Sequence, residues 1–280
     1  DLLKCSVKKV KLMMDDMEVL RFESVNYVRA SNKILSNIDL SIHTGEHWAL
    51  IGPNGAGKST ILNLCGALIH QSNGTIHVLG HRLGRVDIRE LRESIGHVDP
   101  KHAPISPLSV LEVVLTGATG TRELMLRWIP DAKLLERADY LIEVLGLMSH
   151  KYSIWPTLSQ GEKARTLIAR SLLTNPKLLL FDEPSTGLDV SARESFLSSV
   201  DSMHKLQPDL TTVMVTHHFE ELPETTTHAM LIKDGSILYS GVAKKILTSD
   251  NVSECFNYPI EIDYRLRRWN ARAKTPDSTW

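Results

Sequence analysis

Nine consecutive residues combine glycines with a lysine and two hydroxyls, a combination suited to binding phosphate. The segment reads Gly52-Pro53-Asn54-Gly55-Ala56-Gly57-Lys58-Ser59-Thr60 and contains the pattern G-x-x-x-x-G-K-[ST]. Glycines let the backbone curl so that consecutive N–H groups point at phosphate oxygens, Lys58 supplies a cation for the β- and γ-phosphates, and Ser59 offers a hydroxyl to Mg²⁺. The segment therefore predicts a site for a nucleotide and Mg²⁺.

An apolar strand that ends in two carboxylates could supply the second half of this chemistry. Residues 178–181 are all apolar, and Asp182 and Glu183 follow them. We expect Asp182 to lie beside the phosphate loop and hold Mg²⁺ through water, and Glu183 to polarise an attacking water. Phosphoryl transfer needs mainly positioning and charge stabilisation, which these groups provide. Taken alone, the acidic pair could equally mark the end of a strand.

The segment Leu158-Ser159-Gln160-Gly161-Glu162 has the spacing of a capping box, S-x-x-E. A helix is therefore predicted to begin here and to run to Leu173. The N-terminus of such a helix offers free N–H groups and a partial positive charge to an anion. An ordinary capped helix without a ligand would show the same pattern.

Together these segments resemble the nucleotide-binding domain of the ABC (ATP-binding cassette) family over roughly residues 18–245. Residues 158–162 resemble its signature motif, usually Leu-Ser-Gly-Gly-Gln, with Gln160 and Glu162 as departures. The resemblance implies that Ser159, Gln160, Gly161 and Glu162 bind the γ-phosphate held by the opposite subunit, in a head-to-tail dimer with two composite ATP sites. It also implies ATP and Mg²⁺ as cofactors and Lys58, Glu183 and His217 as catalytic residues.

Three further positions fit the same family. Residues 185–189 resemble the loop that crosses the dimer interface, with Asp189 as the matching residue, and His217 resembles the histidine that contacts the γ-phosphate. Tyr27 lies about where the family places an aromatic ring that stacks on adenine. A histidine at a strand end is often structural, and a tyrosine in a strand often only packs.

One family residue is missing. A glutamine normally follows the strand before the helical lobe, where it touches Mg²⁺ and the attacking water and couples the domain to a membrane partner. Here its position falls at Asp99 or Pro100. We assign Asp99 no role, and the missing glutamine argues against coupling of the transporter type. The chain is also similar to stand-alone bacterial cassettes such as the molybdenum-linked ATPases.

The surrounding elements must position these groups. Strands and helices alternate after residue 177, which predicts a parallel sheet. Period-two patterns between Glu18 and Ile51 predict strands of an N-terminal antiparallel β subdomain. Helical patterns, one opening at Ser106-Pro107 and one covering Asp131–Leu145, predict an α-helical lobe inserted at about 104–160. The predicted fold is therefore an α/β P-loop NTPase.

We divide the chain into a charged leader (1–17), an ATPase domain (18–245) and a C-terminal tail (246–280). Near Trp269, the arginines of the tail are expected to form a solvated edge. The net charge of −1 argues against a nucleic-acid partner. Three scattered cysteines are typical of reduced thiols in a cytoplasmic protein, and neither they nor the histidines have the spacing of a metal cluster.

Two functions remain open. In the first, the chain is the ATPase subunit of a transporter, a homodimer or paired cassette held by integral membrane permease subunits on the inner face of the membrane. In the second, it is a soluble ABC ATPase acting in translation, DNA or regulatory processes, which the missing glutamine favours. Translation cassettes usually carry two ATPase units, and DNA-repair cassettes carry a long coiled coil that is not evident here. A P-loop kinase or GTPase would not need Leu158–Glu162.

Overall fold

A computed structural model describes residues 17–274, which form a six-stranded sheet, a four-stranded sheet, a helical lobe and a C-terminal hairpin. The strands are β1 (Glu18–Arg29), β2 (Asn32–His43), β3 (His47–Ile51), β4 (Asn73–Val78), β5 (His81–Arg82), β6 (Ile95–Val98), β7 (Leu178–Asp182), β8 (Thr211–Val215), β9 (His228–Lys233), β10 (Ser236–Val242), β11 (Ile260–Arg265) and β12 (Arg268–Ala273). The helices are α1 (Lys58–Cys65), α2 (Ile88–Glu93), α3 (Val110–Leu115), α4 (Ala132–Val144), α5 (Gln160–Leu172), α6 (Val190–Leu206), α7 (Ala243–Ile246) and α8 (Ser249–Phe256).

The six-stranded sheet has the order β10-β9-β3-β8-β7-β6. All neighbouring pairs from β9 to β6 are parallel, and β10 is an antiparallel edge strand. Every residue of β3 is buried, which explains the continuous apolar run of residues 48–51. The predicted parallel core is confirmed, and the carboxyl ends of β3, β8 and β7 lie side by side.

The predicted antiparallel subdomain is also confirmed, with the strand order β2-β1-β4-β5. Its inner face shares one hydrophobic core with α1 and with one face of the large sheet. Phe22, Ile38, Ile61, Leu50 and Val213 are fully or almost fully buried in this first core. Helix α1 and the loop before it are therefore anchored between the two sheets.

The helical lobe has a second core, which contains Val114, Leu141 and Ile168 from α3, α4 and α5. Helix α4 matches its prediction closely, because Asp131 caps it by accepting a hydrogen bond from the Leu134 amide. The predicted start of α3 at Ser106-Pro107 is wrong. That helix begins at Val110, because Ser109 and Glu112 form a capping box that satisfies its first N–H groups.

The C-terminal residues pack onto the outer side of the large sheet and form a third core. Val252 and Cys255 are fully buried there with Ala49 and Ile51 of β3. The expectation of a solvated edge is confirmed for Arg265 and Arg267, whose side chains are 78 % and 71 % exposed, and is wrong for Arg268, whose side chain is 22 % exposed. Trp269 beside them is buried, with its ring centroid 4.4 Å from that of Tyr264. Helix α7 runs across the boundary drawn at residue 245. The domain division remains a prediction, and most of the leader lies outside the described residues.

No helix within residues 17–274 is both long enough and apolar enough to cross a bilayer.

Two buried imidazoles stack where β3 begins and α6 ends. The ring centroids of His47 and His204 lie 3.4 Å apart with the planes 6° from parallel. Burial lowers the pKa of His47 to about 4, against an opposing effect of Asp201, and burial and the proximity of His47 lower the pKa of His204 to about 2. Both rings are therefore neutral in the folded protein at neutral pH.

This pair should make the protein sensitive to acid. Below the ordinary pKa of 6.5, both histidines are protonated in the unfolded chain. In the folded chain they stay neutral until the pH is well below 6.5. The stability from each histidine is complete above pH 6.5 and is lost as the pH falls, by about 1.4 kcal/mol per pH unit. His204→Phe keeps a stacked ring but removes one titrating group.

We expect His204→Phe to reduce the slope of unfolding free energy against pH by about 1.4 kcal/mol per unit between about pH 5.5 and about pH 4.5. Urea unfolding of both proteins over this range measures the slope. Above about pH 7 the two curves should run parallel, which serves as the internal control. Equal slopes in acid would show that the buried pair does not couple protonation to folding.

Candidate site for nucleotide binding and hydrolysis

The phosphate loop connects β3 to α1 along a path that requires glycine at two positions. A Cβ on Gly52 would lie 2.1 Å from the carbonyl oxygen of Ile232, which is backbone and cannot move aside. Gly57, the N-cap of α1, has φ +104° and a Cβ there would meet the Leu35 side chain at 2.6 Å. The loop is therefore a backbone cradle at a helix N-terminus, which fits phosphate.

Lys58 is buried and bends back over this loop. Its Nζ donates hydrogen bonds to the carbonyl oxygens of Gly52 at 2.7 Å and Pro53 at 2.9 Å. Burial lowers the pKa of Lys58 from its ordinary value, and the carboxylates of Glu183 and Asp182 act in the opposite direction. The structure thus brings Lys58 close to the acidic pair, as the sequence predicts.

The acidic pair occupies the carboxyl end of β7. Asp182 is paired with Val215 of β8, and the Glu183 amide donates to the Val215 carbonyl at 3.0 Å. Glu183 then adopts φ +48°, a left-handed conformation that costs a residue with a side chain roughly 1–2 kcal/mol. Its carboxylate lies 3.4 Å from Nδ1 of His217. The two groups predicted to act on the γ-phosphate and the attacking water are therefore neighbours.

Thr216 holds the turn that presents His217, a role that no motif in the sequence suggests. Its buried hydroxyl accepts a hydrogen bond from the His218 amide at 3.0 Å and donates one to the Glu221 carboxylate at 2.5 Å. The Thr216 amide also donates to the Leu50 carbonyl of β3, at 3.3 Å. The histidine segment is thereby fixed to the strand that enters the phosphate loop.

The signature segment forms the capping box predicted from its sequence. The Ser159 amide donates to Glu162 Oε2 at 2.8 Å, and the Glu162 amide donates to Ser159 Oγ at 3.3 Å. The first of these bonds lowers the pKa of Glu162, and His150 Nε2 lies 3.1 Å from Glu162 Oε1. Ser159 and Gln160 are exposed at the start of α5, whereas Gly161 is buried.

The signature helix and the phosphate loop are built on different cores. Helix α1 packs in the first core, whereas Leu167 and Ile168 of α5 pack in the second. The start of α5 packs closely against α6. A Cβ added to Gly161 would lie 3.1 Å from the Cβ of Ala192. Asp189 caps α6 by accepting a hydrogen bond from the Ala192 amide at 2.8 Å. Asp189 therefore has a structural contact in addition to its predicted role.

Two remaining positions can be placed. Tyr27 is half-buried in β1, pairs with Leu35 and packs against the first core, and its contact with adenine stays a prediction. Asp99 follows β6 and accepts a hydrogen bond from the Lys101 amide at 2.8 Å, which caps the turn Pro100–His102. A tight turn thus occupies the position where the family has its glutamine.

Known proteins are similar to this chain in sequence. A family model described as ABC transporter matches residues 35–186. The ABC transporter ATP-binding protein YlmA of Bacillus subtilis is 36 % identical over 247 residues, covering 87 % of this chain and 93 % of that protein. The phosphonates import ATP-binding protein PhnC of Trichormus variabilis is 34 % identical over 219 residues, 77 % of this chain and 88 % of its own length.

A solved structure agrees with these relatives. CbiO1 from Clostridium perfringens, a part of the ABC transporter complex CbiONQ, is 28 % identical and superposes with a TM-score of 0.73 over 85 % of this chain and 93 % of its own. Fold and phosphate loop define a P-loop ATPase cassette. This chain belongs to the ABC transporter family, as an ATP-binding subunit that hydrolyses ATP. Cassettes of this family work as dimers within transporter complexes.

We expect Thr216→Val to lower kcat for ATP hydrolysis by about 10-fold or more, because the turn carrying His217 loses both hydrogen bonds of the Thr216 hydroxyl. ATP affinity should stay within about twofold, since the phosphate loop is a separate segment. Thr216→Ser restores the hydroxyl and is the matched control. Steady-state kinetics and titration with a fluorescent ATP analogue measure the two quantities. Wild-type kcat in the valine variant would rule out the positioning role.

Proposed function

We propose that the chain is the ATPase subunit that energises integral membrane permease subunits, as a head-to-tail homodimer or paired cassette at the cytoplasmic face of the cell membrane. The observation that carries this proposal is the grouping of Lys58, Glu183 and His217 at one sheet edge, while Ser159 faces outward from another lobe. One chain thus supplies two complementary halves of an ATP site. Two chains related by a twofold axis would complete two such sites.

Within one subunit, the loop residues Gly52 to Thr60 bind the ATP phosphates through backbone N–H groups, and Tyr27 stacks on adenine. Lys58 gives up its hydrogen bonds to the carbonyls of Gly52 and Pro53 and binds the β- and γ-phosphates instead. Ser59 and Asp182 would hold Mg²⁺, and the ion would supply positive charge to the phosphate oxygens. The electrostatic effect of both carboxylates on Lys58 supports this arrangement.

Glu183 orients the attacking water and accepts its proton as the bond to the γ-phosphate forms. His217 binds the γ-phosphate and holds the Glu183 carboxylate in place, which the 3.4 Å contact supports. The left-handed backbone at Glu183 supports a functional role, because such strain concentrates at active sites. The β–γ phosphate bond breaks, and ADP and phosphate leave.

The partner's γ-phosphate is bound by the first turn of α5. Ser159, Gln160 and Gly161 offer a hydroxyl and free N–H groups, and the helix dipole adds a partial positive charge. The ionised Glu162 holds Ser159 in position through the capping box. Asp189 lies in the loop that crosses the dimer interface, next to the start of α5.

The permease docks on the turn after Asp99 and on the helical lobe from Ser106 onward. Leu126 and Ile129, which are 97 % and 86 % exposed, support a protein contact on this lobe. The alternative, a soluble ABC ATPase of translation, DNA or regulation, is favoured by the turn at Asp99–Pro100 in place of a glutamine. The likeness to molybdenum-linked cassettes remains a prediction.

We expect Glu183→Gln to keep ATP affinity and to lower kcat by at least about 100-fold, because the general base is lost while the side-chain size is kept. The variant should accumulate as an ATP-dependent dimer in size-exclusion chromatography. Glu90→Gln, an exposed change on α2, is the matched control and should behave as wild type. A normal rate in Glu183→Gln would disprove the general-base role.

The same trapped variant tests the partner. Glu183→Gln purified with ATP and Mg²⁺ from its native cell should bring down an integral membrane protein at stoichiometric yield. Recovery only from the soluble fraction, with ribosomes, DNA or a regulator, would establish the alternative function instead.

We expect Ser159→Arg to abolish hydrolysis and leave the ATP affinity of the monomer unchanged, because Ser159 acts on the partner's nucleotide. Thr248→Arg is the matched control, since Thr248 also caps a helix, but the helix is α8. Thr248→Arg shows the effect of losing a helix cap, so it can be distinguished from the effect of losing the proposed phosphate site at Ser159. A large fall in monomer affinity for Ser159→Arg would place Ser159 in its own subunit's site and contradict the composite arrangement.

A further inference from the structure

Arg268, in the C-terminal hairpin, makes three polar contacts across the surface of the large sheet. Its guanidinium pairs with both carboxylate oxygens of Glu194, Nη2 with Oε1 at 3.2 Å and Nη1 with Oε2 at 3.1 Å. Nη2 also donates to the main-chain carbonyl of Glu220 at 2.7 Å. The Arg268 side chain is 22 % exposed and the Glu194 side chain 50 %, so the guanidinium is largely covered while the carboxylate stays open to water.

The two partners of Arg268 belong to the two segments that leave the catalytic edge. Glu194 lies in the first turns of α6, the helix that Asp189 caps. Glu220 lies in the turn that follows His217. The same turn contains Glu221, whose carboxylate accepts a hydrogen bond from the Thr216 hydroxyl. Arg193 joins the same cluster, with nitrogens 3.8 Å from carboxylate oxygens of Glu194 and Glu220.

The base of this contact is rigid. Trp269, the neighbour of Arg268, is buried in the third core, which also holds Ile51 at the end of β3. Strand β12 also packs against the turn Phe219–Glu221. The backbone at Arg268 is therefore anchored to the core that contains the end of β3, and its side chain reaches from there to the other two segments.

We propose that Arg268 is a positioning residue for ATP hydrolysis, which ties the histidine segment and the interface segment to each other and to the nucleotide-binding core. It lies in the C-terminal hairpin, outside the segments that form the nucleotide site, and acts through Glu220 and Glu194. This proposal rests on the roles proposed for His217 and Asp189. It gives the C-terminal hairpin a part in the chemistry of a site that lies in other elements.

Arginine suits this position because its planar fork presents several donors at fixed angles. The guanidinium can grip a carboxylate with two parallel bonds and still reach a carbonyl, whereas a lysine ammonium is a point charge on a flexible stem. Replacing Arg268 by Lys should therefore restore only part of the function, and replacing it by Met keeps the apolar stem but removes every donor.

We expect Arg268→Met to lower kcat by about 10-fold or more, because a small displacement of catalytic groups has a large effect on rate. The affinity for ATP should stay within about twofold, since the phosphate loop and Tyr27 are untouched. Arg268→Lys should fall between Arg268→Met and wild type. Arg265→Met, in the same hairpin and 78 % exposed, is the matched control and should keep wild-type kcat. Equal kcat for Arg268→Met and Arg265→Met, both folded by circular dichroism, would overturn the proposal.

The contact can be tested from its other side if Arg268→Met fails to fold. Glu194→Gln keeps the shape of the side chain on α6 and should lower kcat without changing ATP affinity. In the double variant with Arg268→Lys the effects should be less than additive, because both changes weaken one contact. Fully additive losses, or a loss in proportion to the folded fraction alone, would show that the contact only stabilises the fold.

His217→Ala separates this proposal from the one on which it rests. If His217→Ala keeps wild-type kcat, the proposed role of His217 is wrong. The proposal that Arg268 positions the histidine segment for hydrolysis is then wrong as well. If His217→Ala loses activity while Arg268→Met and Glu194→Gln keep it, only the inference about Arg268 fails.

Discussion

The parallel alignment of β3, β8 and β7 is the constraint on which the rest of this structure depends. Because the three strands are neighbours and run in the same direction, whatever follows their carboxyl ends must meet at one edge. The phosphate loop follows β3, His217 follows β8, and the two carboxylates follow β7. Three segments that are far apart in the sequence therefore form one site, because the sheet brings the ends of their strands together.

That edge is also where local backbone preferences are overruled. Gly57 and Glu183 adopt left-handed conformations there, and Gly52 has no room for a side chain beside Ile232. Gly57 adopts such a conformation without steric cost because it has no Cβ, whereas at Glu183 it persists only because surrounding contacts outweigh its cost. The fully buried strand β8 lies next to β7, and its Val215 carbonyl accepts the hydrogen bond of the Glu183 amide, so the sheet holds the strained backbone at Glu183.

The division into separate cores places the phosphate loop and the signature helix on different parts of the chain. The phosphate loop is anchored in the first core and the signature helix in the second, and each presents its polar end to solvent. In the proposed dimer, a twofold axis would bring the helix terminus of one chain to the phosphate loop of the other, so that one set of residues would make two sites. The third core adds the C-terminal hairpin, which reaches the segments after His217 and Asp189 through Arg268.

The sequence by itself determined the features that depend on local spacing. The phosphate loop, the capping box of Ser159 and Glu162 and the alternation of strands and helices are all short-range patterns, and they identified the fold. Only the tertiary structure decided which distant groups meet: the Thr216 turn, the stacked histidines, the buried Trp269 and the contact of Arg268 with Glu194, 74 residues away. Such contacts have no local period or motif, because they depend on how finished elements pack. The start of α3 at Val110 was likewise decided by Ser109 and Glu112, which satisfy its first N–H groups.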